Sequence, residues 1–260
     1  MTAEKTAAPV PTLLVVQPDP SDPLDQFGPW LAEAAVSWRV VRPFADDAIP
    51  ADLDEDGLLV LGGDMSSLDD VDHPWLEDIR VLYRRAAELR RPTLGICLGA
   101  QLMAQAFGGT VRPGDNGVET GVVRVRWRDE AANDPLLHNF DAPFPVGAMH
   151  GDMIAGLPPG ASWLGMSPMY AHQAFRVGEC AWGVQFHPEI GAETYNQWVD
   201  MYDGSDPVAK ERLELGRRDF AQMEADVLTG TVAVARRFAD LLRLTALTRR
   251  GSEDVRSSAD

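Results

Sequence analysis

The sequence predicts an α/β protein built on a doubly wound, mostly parallel sheet with helices on both faces. Up to residue 109, short apolar runs alternate with segments of helical spacing, which is typical of parallel strands buried on both faces. Short strand-like segments separated by turns follow, and they predict an antiparallel extension of the sheet. From Glu193 onward the pattern predicts C-terminal helices.

Four strands are predicted before Cys97, each an apolar run bounded by turn-forming residues. They cover residues 12–17, 38–44, 56–63 and 92–96. In a doubly wound sheet, functional groups gather at the carboxyl ends of the strands. Gly62, Gly63 and Cys97 all lie at such ends.

Three helices are predicted between and after these strands. The first covers residues 24–35, and the second begins at His73, where Pro74 suits the first turn of a helix. The third runs from about Leu98 to a glycine cap at residues 108–109.

The second half of the chain supplies the rest of the predicted fold. Strands are predicted at residues 119–127, 145–150, 162–167, 172–177 and 181–186. This order of elements is that of a flavodoxin-like fold. We interpret residues 12–248 as one domain with a C-terminal helical extension, residues 1–11 as a flexible leader, and residues 249–260 as a disordered tail.

The composition is typical of a soluble globular protein. The 260 residues include 45% apolar and 24% charged residues, which is enough for one sizeable core. A formal net charge of −17 argues against nucleic acid or an anionic membrane as the main partner, since both would repel the chain.

Several features predict a cytoplasmic protein. The N-terminus lacks the basic and apolar regions of a signal peptide. The longest apolar runs are far shorter than the roughly 20 residues that cross a bilayer. Cys97 and Cys180 lie too far apart in the chain to suggest a disulfide framework, which suits a reducing compartment. We interpret Cys180 as a packing residue.

Cys97 stands at a predicted strand-to-helix turn, in the sequence Gly95-Ile96-Cys97-Leu98-Gly99. Glycines two residues before and after relieve crowding in such a turn and leave the apex side chain exposed. The helix N-terminus favours a thiolate, and its N–H groups can bind an oxyanion. A cysteine without these neighbours is more often a small buried apolar residue. The pattern therefore favours a nucleophile.

A thiol nucleophile needs a base, and His187 is the best placed of the five histidines. It follows a predicted strand, and Glu189, two residues on, projects to the same side of an extended chain. The carboxylate can therefore orient the imidazole and stabilise its protonated form. His150 also follows a strand and stays open as an alternative base. The others are interpreted as cap or solvated residues: His73, His138 and His172.

These residues together resemble the class I glutamine amidotransferases, the triad-type glutaminase family. The family pattern is an elbow G-x-C-x-G-x-Q and a later strand that ends in F-H-P-E. Here the motifs read GICLGAQ at residues 95–101 and FHPE at residues 186–189. The sequence HGD at residues 150–152 is also similar to the amidotransferase domain of GMP synthetases. The resemblance extends from about Thr12 to Ala192.

The resemblance implies a role for each matched residue. Cys97 would attack the γ-carboxamide of glutamine, while His187, oriented by Glu189, protonates the departing ammonia and later activates water. The backbone N–H groups of Gly63 and Leu98 would hold the oxyanion. No metal or cofactor is implied. The resemblance also implies that substrate contacts come from Gly62, Gln101, Met169 and Tyr170.

Asp64 departs from the family pattern, because many stand-alone members carry proline after the glycine pair. A carboxylate there either disfavours the carboxylate of glutamine or points to solvent. The sequence contains no G-x-x-x-x-G-K-[ST] phosphate loop for activating an acceptor. Three functions stay open: a glutaminase that passes ammonia to a separate synthetase subunit, a hydrolase of γ-glutamyl amides or peptides, and a non-catalytic scaffold or regulator.

Overall fold

A computed structural model describes residues 9–257 of the protein, with side chains through residue 251. The strands in this range are β1 (Thr12–Val16), β2 (Ser37–Val41), β3 (Gly57–Val60), β4 (Thr93–Ile96), β5 (Thr110–Pro113), β6 (Glu119–Trp127), β7 (Phe144–His150), β8 (Asp152–Gly156), β9 (Ser162–Met166), β10 (Ala174–Val177) and β11 (Ala181–Val184). The helices are α1 (Phe27–Glu33), α2 (Trp75–Glu88), α3 (Leu98–Ala106), α4 (Ala192–Met201) and α5 (Pro207–Ser257).

Nine strands form the main sheet, in the order β2-β1-β3-β4-β11-β10-β9-β6-β7. The five strands from β2 to β11 pair in parallel, and the remaining pairs are antiparallel. The parallel part has the strand order of a flavodoxin-like sheet. The predicted parallel core with an antiparallel extension is therefore confirmed.

Helices cover both faces of the parallel sheet because side chains alternate along each strand. In β1, Leu13 and Val15 belong to a core cluster shared with α1 and α5. Leu14 and Val16 belong to a second cluster, shared with α2 and α3. Strands buried on both faces explain the near-continuous apolar runs in the sequence.

The C-terminal helices close one side of the molecule. Helix α5 contacts β6, β7, α1 and α4, and Phe220, Phe238 and Leu242 on it are fully buried. The helix continues to Ser257, so the disordered tail predicted from residue 249 is wrong for residues 249–257. Arg249 donates to the Asp54 carbonyl oxygen and to Asp56 Oδ1, which ties this part of the helix to the segment before β3. Residues 258–260 lie outside the described range.

Other boundaries differ in detail from the sequence predictions. Helix α2 begins at Trp75 rather than His73, with Pro74 as its cap residue. The small sheet of β5 and β8 was not predicted. Residues 9–11 form no regular element before β1, and the predicted leader otherwise lies outside the described residues. Within residues 9–257, no helix has the length and apolar character needed to cross a membrane.

Candidate active site

Cys97 occupies a strained turn between β4 and α3. Its backbone angles are φ 51° and ψ −108°, a conformation that costs free energy for a residue with a side chain. The flanking glycines make this turn fit. A Cβ on Gly95 would lie 2.7 Å from the backbone of Gly99, and one on Gly99 would lie 2.4 Å from the Val60 carbonyl oxygen. The strand and helix therefore approach too closely for any side chain at either position.

The Cys97 thiol lies at the wall of a cavity and is almost buried, with 6% of the residue exposed. The Gln185 side-chain amide donates to Sγ at 3.7 Å, and the Met149 carbonyl oxygen lies 3.8 Å from Sγ. The sulfur therefore has two polar neighbours, one just after β11 and one in β7. The thiol keeps access to the cavity.

His187 is held by Glu189 and faces Cys97. Its Nδ1 lies 2.7 Å from Glu189 Oε1, and both side chains are almost fully buried. Because the carboxylate accepts a hydrogen bond from Nδ1, the other ring nitrogen, Nε2, is left for the thiol. Burial favours a lower pKa for His187, but the Glu189 carboxylate and the Cys97 side chain hold this pKa well above its ordinary value. The Trp198 ring packs against the imidazole with 4.7 Å between centroids.

The cavity encloses about 450 Å³ at the carboxyl ends of β3, β4 and β11. This volume lies in the range of small-molecule pockets. Of the residues predicted for the site, the cavity is lined by Cys97, His187, Gly63 and Gln101. The fold therefore brings together two motifs that lie 90 residues apart in the chain.

Comparison with known proteins identifies the family. The family profile described as glutamine amidotransferase class-I matches residues 28–199, which is more than half of the chain. The chain belongs to the class-I glutamine amidotransferases. This assignment agrees with the elbow and the F-H-P-E motif, and it makes the protein an enzyme of that family.

Curated relatives and a solved structure are similar to this class-I amidotransferase. The glutamine amidotransferase-like protein YfeJ of Salmonella typhimurium is 33% identical over 61% of this chain and 66% of that protein. A glutamine-hydrolyzing GMP synthase subunit of Natronomonas pharaonis is 32% identical over 61% of this chain and 82% of that protein. The crystal structure of a glutamine amidotransferase from Methylobacillus flagellatus is 27% identical, with a TM-score of 0.77 over 90% of this chain and 96% of that one.

Gly63 and Leu98, the predicted oxyanion-binding residues, lie side by side at the N-terminus of α3. A Cβ on Gly63 would lie 2.8 Å from Leu98 Cδ2. The first N–H groups of a helix have no partner within the helix, so the Leu98 N–H group is suited to bind an anion. Gly62 is buried and does not line the cavity. The roles of these three residues stay predictions.

Gln101 follows Cys97 by one helical turn and lines the cavity with 3% of the residue exposed. Its Nε2 makes only long hydrogen bonds of 3.4 Å, to the Asp152 carbonyl oxygen and to Gln185 Oε1. Such weakly held donors can turn toward a bound ligand. The position is compatible with the substrate contact predicted for Gln101.

Met169 and Tyr170 do not line the cavity themselves, and their substrate contact stays a prediction. Their backbone N–H groups both donate to Ser167 Oγ, at 3.2 and 2.9 Å. The Tyr170 hydroxyl donates to the Gly117 carbonyl oxygen at 2.5 Å. In this structure these groups are therefore occupied by a local turn.

His150, the alternative base, also lines the cavity, but both of its ring nitrogens are held in a polar cluster. Its Nδ1 lies 2.8 Å from the Asp152 carbonyl oxygen, and its Nε2 lies 3.0 Å from Glu119 Oε2. Glu119 also accepts from Ser167 Oγ at 2.6 Å and from the Gln173 amide at 2.6 Å. Because both ring nitrogens face oxygen acceptors, neither is free to take a proton from Cys97.

Asp22 is a site residue that the sequence did not reveal. It lines the cavity and is only 7% exposed. A Cβ on Gly62 would lie 2.2 Å from Asp22 Oδ1 and 2.9 Å from His187 Cε1, so the two side chains meet at this glycine. Burial raises the pKa of Asp22 to about 7, with Glu189 adding to the increase and His187 opposing it.

Proposed function

We propose that this enzyme hydrolyses the γ-amide of glutamine through a covalent glutamyl thioester. One observation carries the proposal: Cys97 on its strained turn and the Glu189-paired His187 open onto the same cavity. A thiol, a base and a group that orients the base form the arrangement of nucleophilic catalysis. Membership of the class-I amidotransferases supports glutamine as the substrate.

The first half-reaction forms the thioester. The Cys97 Sγ atom attacks the γ-carbonyl carbon after its proton has moved to His187 Nε2, and the N–H groups of Gly63 and Leu98 stabilise the oxyanion. The C–N bond then breaks, and His187 returns the proton to the departing nitrogen, which leaves as ammonia. Glu189 stabilises the imidazolium while it carries that proton.

The second half-reaction consumes water. His187 takes a proton from a water molecule, which attacks the thioester carbon in the same oxyanion site. The C–S bond breaks and Cys97 recovers its proton, so that glutamate leaves and the enzyme is restored. The raised pKa of His187 favours the protonated ring that the first step needs.

The ammonia goes, in this proposal, to an acceptor on a separate synthetase subunit. The support comes from the similarity to a protein named as one subunit of a glutamine-hydrolyzing GMP synthase. A chemically different outcome is release of ammonia or an amine to solvent, as in a γ-glutamyl amide hydrolase. The exposed Asp64 carboxylate on the cavity wall supports this second function, because it departs from the family pattern.

The test is glutamate release by the purified protein. We expect turnover of glutamine, and we expect Cys97→Ala and His187→Asn to lower kcat by at least about 100-fold, as loss of a nucleophile or general base does. His150→Asn should retain a much larger part of the activity than His187→Asn. A glutamine-like alkylating agent should label Cys97, and Cys180→Ala provides the matched control.

The results that would contradict the proposal are equally concrete. Equal losses for His150→Asn and His187→Asn in folded protein would remove His187 from its role. Labelling at Cys180 instead of Cys97, or full activity in Cys97→Ala, would remove the thioester. Circular dichroism of each variant establishes that its fold is intact.

A further inference from the structure

Asp22 places a carboxylate oxygen beside the imidazole of His187, which protonates the leaving nitrogen in the proposed reaction. Its Oδ2 accepts a hydrogen bond from Ser21 Oγ at 3.1 Å, but within residues 9–257 no hydrogen bond reaches Oδ1. That oxygen lies against Gly62, where the edge of the His187 ring also lies. A carboxylate nine-tenths buried, with one oxygen unused, is costly unless a cationic group can approach it.

The same wall continues along the second half of helix α4 and the segment after it. Trp198 packs on His187, and its ring nitrogen donates to the Ser21 carbonyl oxygen at 2.8 Å. Tyr202 and Asp203, between α4 and α5, also line the cavity. Aromatic faces and carboxylates are the two kinds of group that bind an ammonium ion.

The charge of the whole lining points the same way. Among the described residues that line the cavity, four are aspartates and none is lysine or arginine. The aspartates are Asp22, Asp64, Asp152 and Asp203. The excess of acidic side chains in this lining favours a cationic group over an anionic one.

The proposed reaction fixes the side of the cavity that the leaving group occupies. The departing nitrogen must receive its proton from His187, so any substituent on that nitrogen lies against the wall of Asp22 and Trp198. The glutamyl chain then extends toward Gln101. The acidic and aromatic wall therefore contacts the amine part of the substrate.

We propose that the enzyme also hydrolyses γ-glutamyl amides whose leaving amine carries a second, positively charged amino group. The inference rests on the proposed thioester chemistry and extends its substrates from glutamine to amides of diamines. Asp22 and Asp203 bind the distal ammonium group, and Trp198 packs against the alkyl chain.

The reaction balances with water alone. The Cys97 Sγ–C bond forms as the amide C–N bond breaks, and His187 delivers the thiol proton to the nitrogen that leaves as the diamine. Water then cleaves the thioester to glutamate and the free thiol. The bound ammonium group favours the ionised form of Asp22, whose pKa is raised to about 7 chiefly by burial in the free enzyme.

The experiment compares glutamine and three γ-glutamyl amides whose leaving amines have the same number of carbon atoms. The leaving amines are diaminobutane, butylamine and aminobutanoate, which carry a cationic, a neutral and an anionic end. We expect kcat/KM for the diaminobutane amide to exceed that for the butylamine amide by about tenfold, which corresponds to about 1.4 kcal/mol. The aminobutanoate amide should be the poorest of the three.

Two variants and a matched control locate the effect. Asp22→Asn and Asp203→Asn should each lower the ratio of kcat/KM for the cationic amide to that for the neutral amide. Any effect of Asp22 on His187 itself cancels in this ratio. Asp206→Asn removes the same charge from the same segment, outside the cavity lining, and should leave the ratio unchanged.

The outcomes separate this inference from the proposed function. Glutamate release with no preference for the cationic amide overturns the inference alone. The same holds if Asp22→Asn and Asp203→Asn slow all three amides equally, since the carboxylates would then act on a part that the substrates share. No release from any substrate, including glutamine, overturns the proposed function and this inference with it.

Discussion

Two histidine–glutamate pairs lie at the carboxyl end of the sheet, and their hydrogen bonds give them different uses. The pair of His187 and Glu189 leaves one ring nitrogen available to the thiol. In the second pair, Nε2 of His150 faces Glu119 and Nδ1 faces the Asp152 carbonyl oxygen, so both ring nitrogens are occupied. Whether a histidine can serve as a base for the thiol therefore depends on the partner of its other ring nitrogen. Neither the residue type nor its position after a strand reveals that partner.

At the residue scale, the sequence could predict only those parts of the site that are formed by residues close together in the chain. The elbow around Cys97 and the spacing of His187 and Glu189 are short-range patterns with a direct geometric meaning. Asp22 lies in a turn rich in proline and aspartate, and nothing local indicates that it is buried against His187. Its burial is a consequence of tertiary packing, which one sequence does not express.

The raised pKa of Asp22 predicts a pH-dependent effect on stability. The pKa is about 7 in the folded protein against an ordinary value of 3.8. Between these values the folded state holds a proton that the unfolded chain has released, so stability falls as pH rises through this window. Asp22→Asn lacks the titrating group. We expect its free energy of unfolding, relative to the unsubstituted protein, to increase by up to about 4 kcal/mol between about pH 4 and pH 8.

Urea denaturation of both proteins at the two pH values measures this difference. Asp206→Asn, on an exposed residue, serves as the control and should show no comparable change. A difference between Asp22→Asn and the unsubstituted protein that stays constant with pH would contradict a proton held by the folded state. A decrease toward high pH would show that the carboxylate stabilises the fold instead.

At the element scale, the strand-to-helix turn depends on two glycines that admit no side chain. We expect Gly99→Ala to lower the free energy of unfolding by several kcal/mol, because its Cβ would lie 2.4 Å from the backbone oxygen of Val60. Gly28→Ala is the matched control. Gly28 lies in α1 with nothing within 4 Å of an added Cβ apart from its chain neighbours. Alanine there should change stability by less than about 1 kcal/mol, because its higher helix propensity is offset by crowding against Pro29.

Denaturant unfolding of both glycine variants checks this prediction. A loss of stability shared equally by Gly28→Ala and Gly99→Ala would point to backbone freedom and not to close approach. An unchanged stability in Gly99→Ala would mean that β3 and α3 separate easily, and that the turn is less constrained than its contacts indicate.

Elements with a strong apolar pattern were predictable, and short elements with exposed residues were not. Four of the five parallel strands have four or five residues each and are mostly buried, so their apolar runs indicate them directly; they are β1, β3, β4 and β11. In the edge strand β2, only Val41 is buried. Strand β5 has only one buried residue, Val111. It forms because β8 pairs with it, and such pairing between distant segments leaves little trace in either sequence.

At the scale of the whole molecule, helix α5 supplies part of the main core. Leu242 is fully buried and packs against the start of β3, where a Cβ on Gly57 would lie 2.2 Å from its Cδ2. We expect Leu242→Ala to cost about 2–5 kcal/mol of stability. Leu244→Ala, at a residue that is 62% exposed on the same helix, should change stability by less than about 0.5 kcal/mol.

Thermal and urea unfolding of the two leucine variants gives the comparison. Equal, small effects would mean that the helix associates only loosely with the sheet, against the burial of its apolar residues. The sequence predicted helices in this region from their spacing. It did not predict which strands these helices contact, because helical spacing indicates a buried face and not the element that covers it.

The connection between α4 and α5 lines the cavity but does not carry Cys97 or His187. Changes in the connection and changes in the reacting groups can therefore occur independently. The sulfur and the imidazole are fixed by β4, β11 and the turns that follow them, whereas Tyr202 and Asp203 come from a short stretch outside the matched family region. We expect exchange of that stretch to alter which substrates the pocket accepts, without touching the groups proposed to make and break bonds. New specificities can therefore arise, in evolution or by engineering, through a handful of adjacent codons.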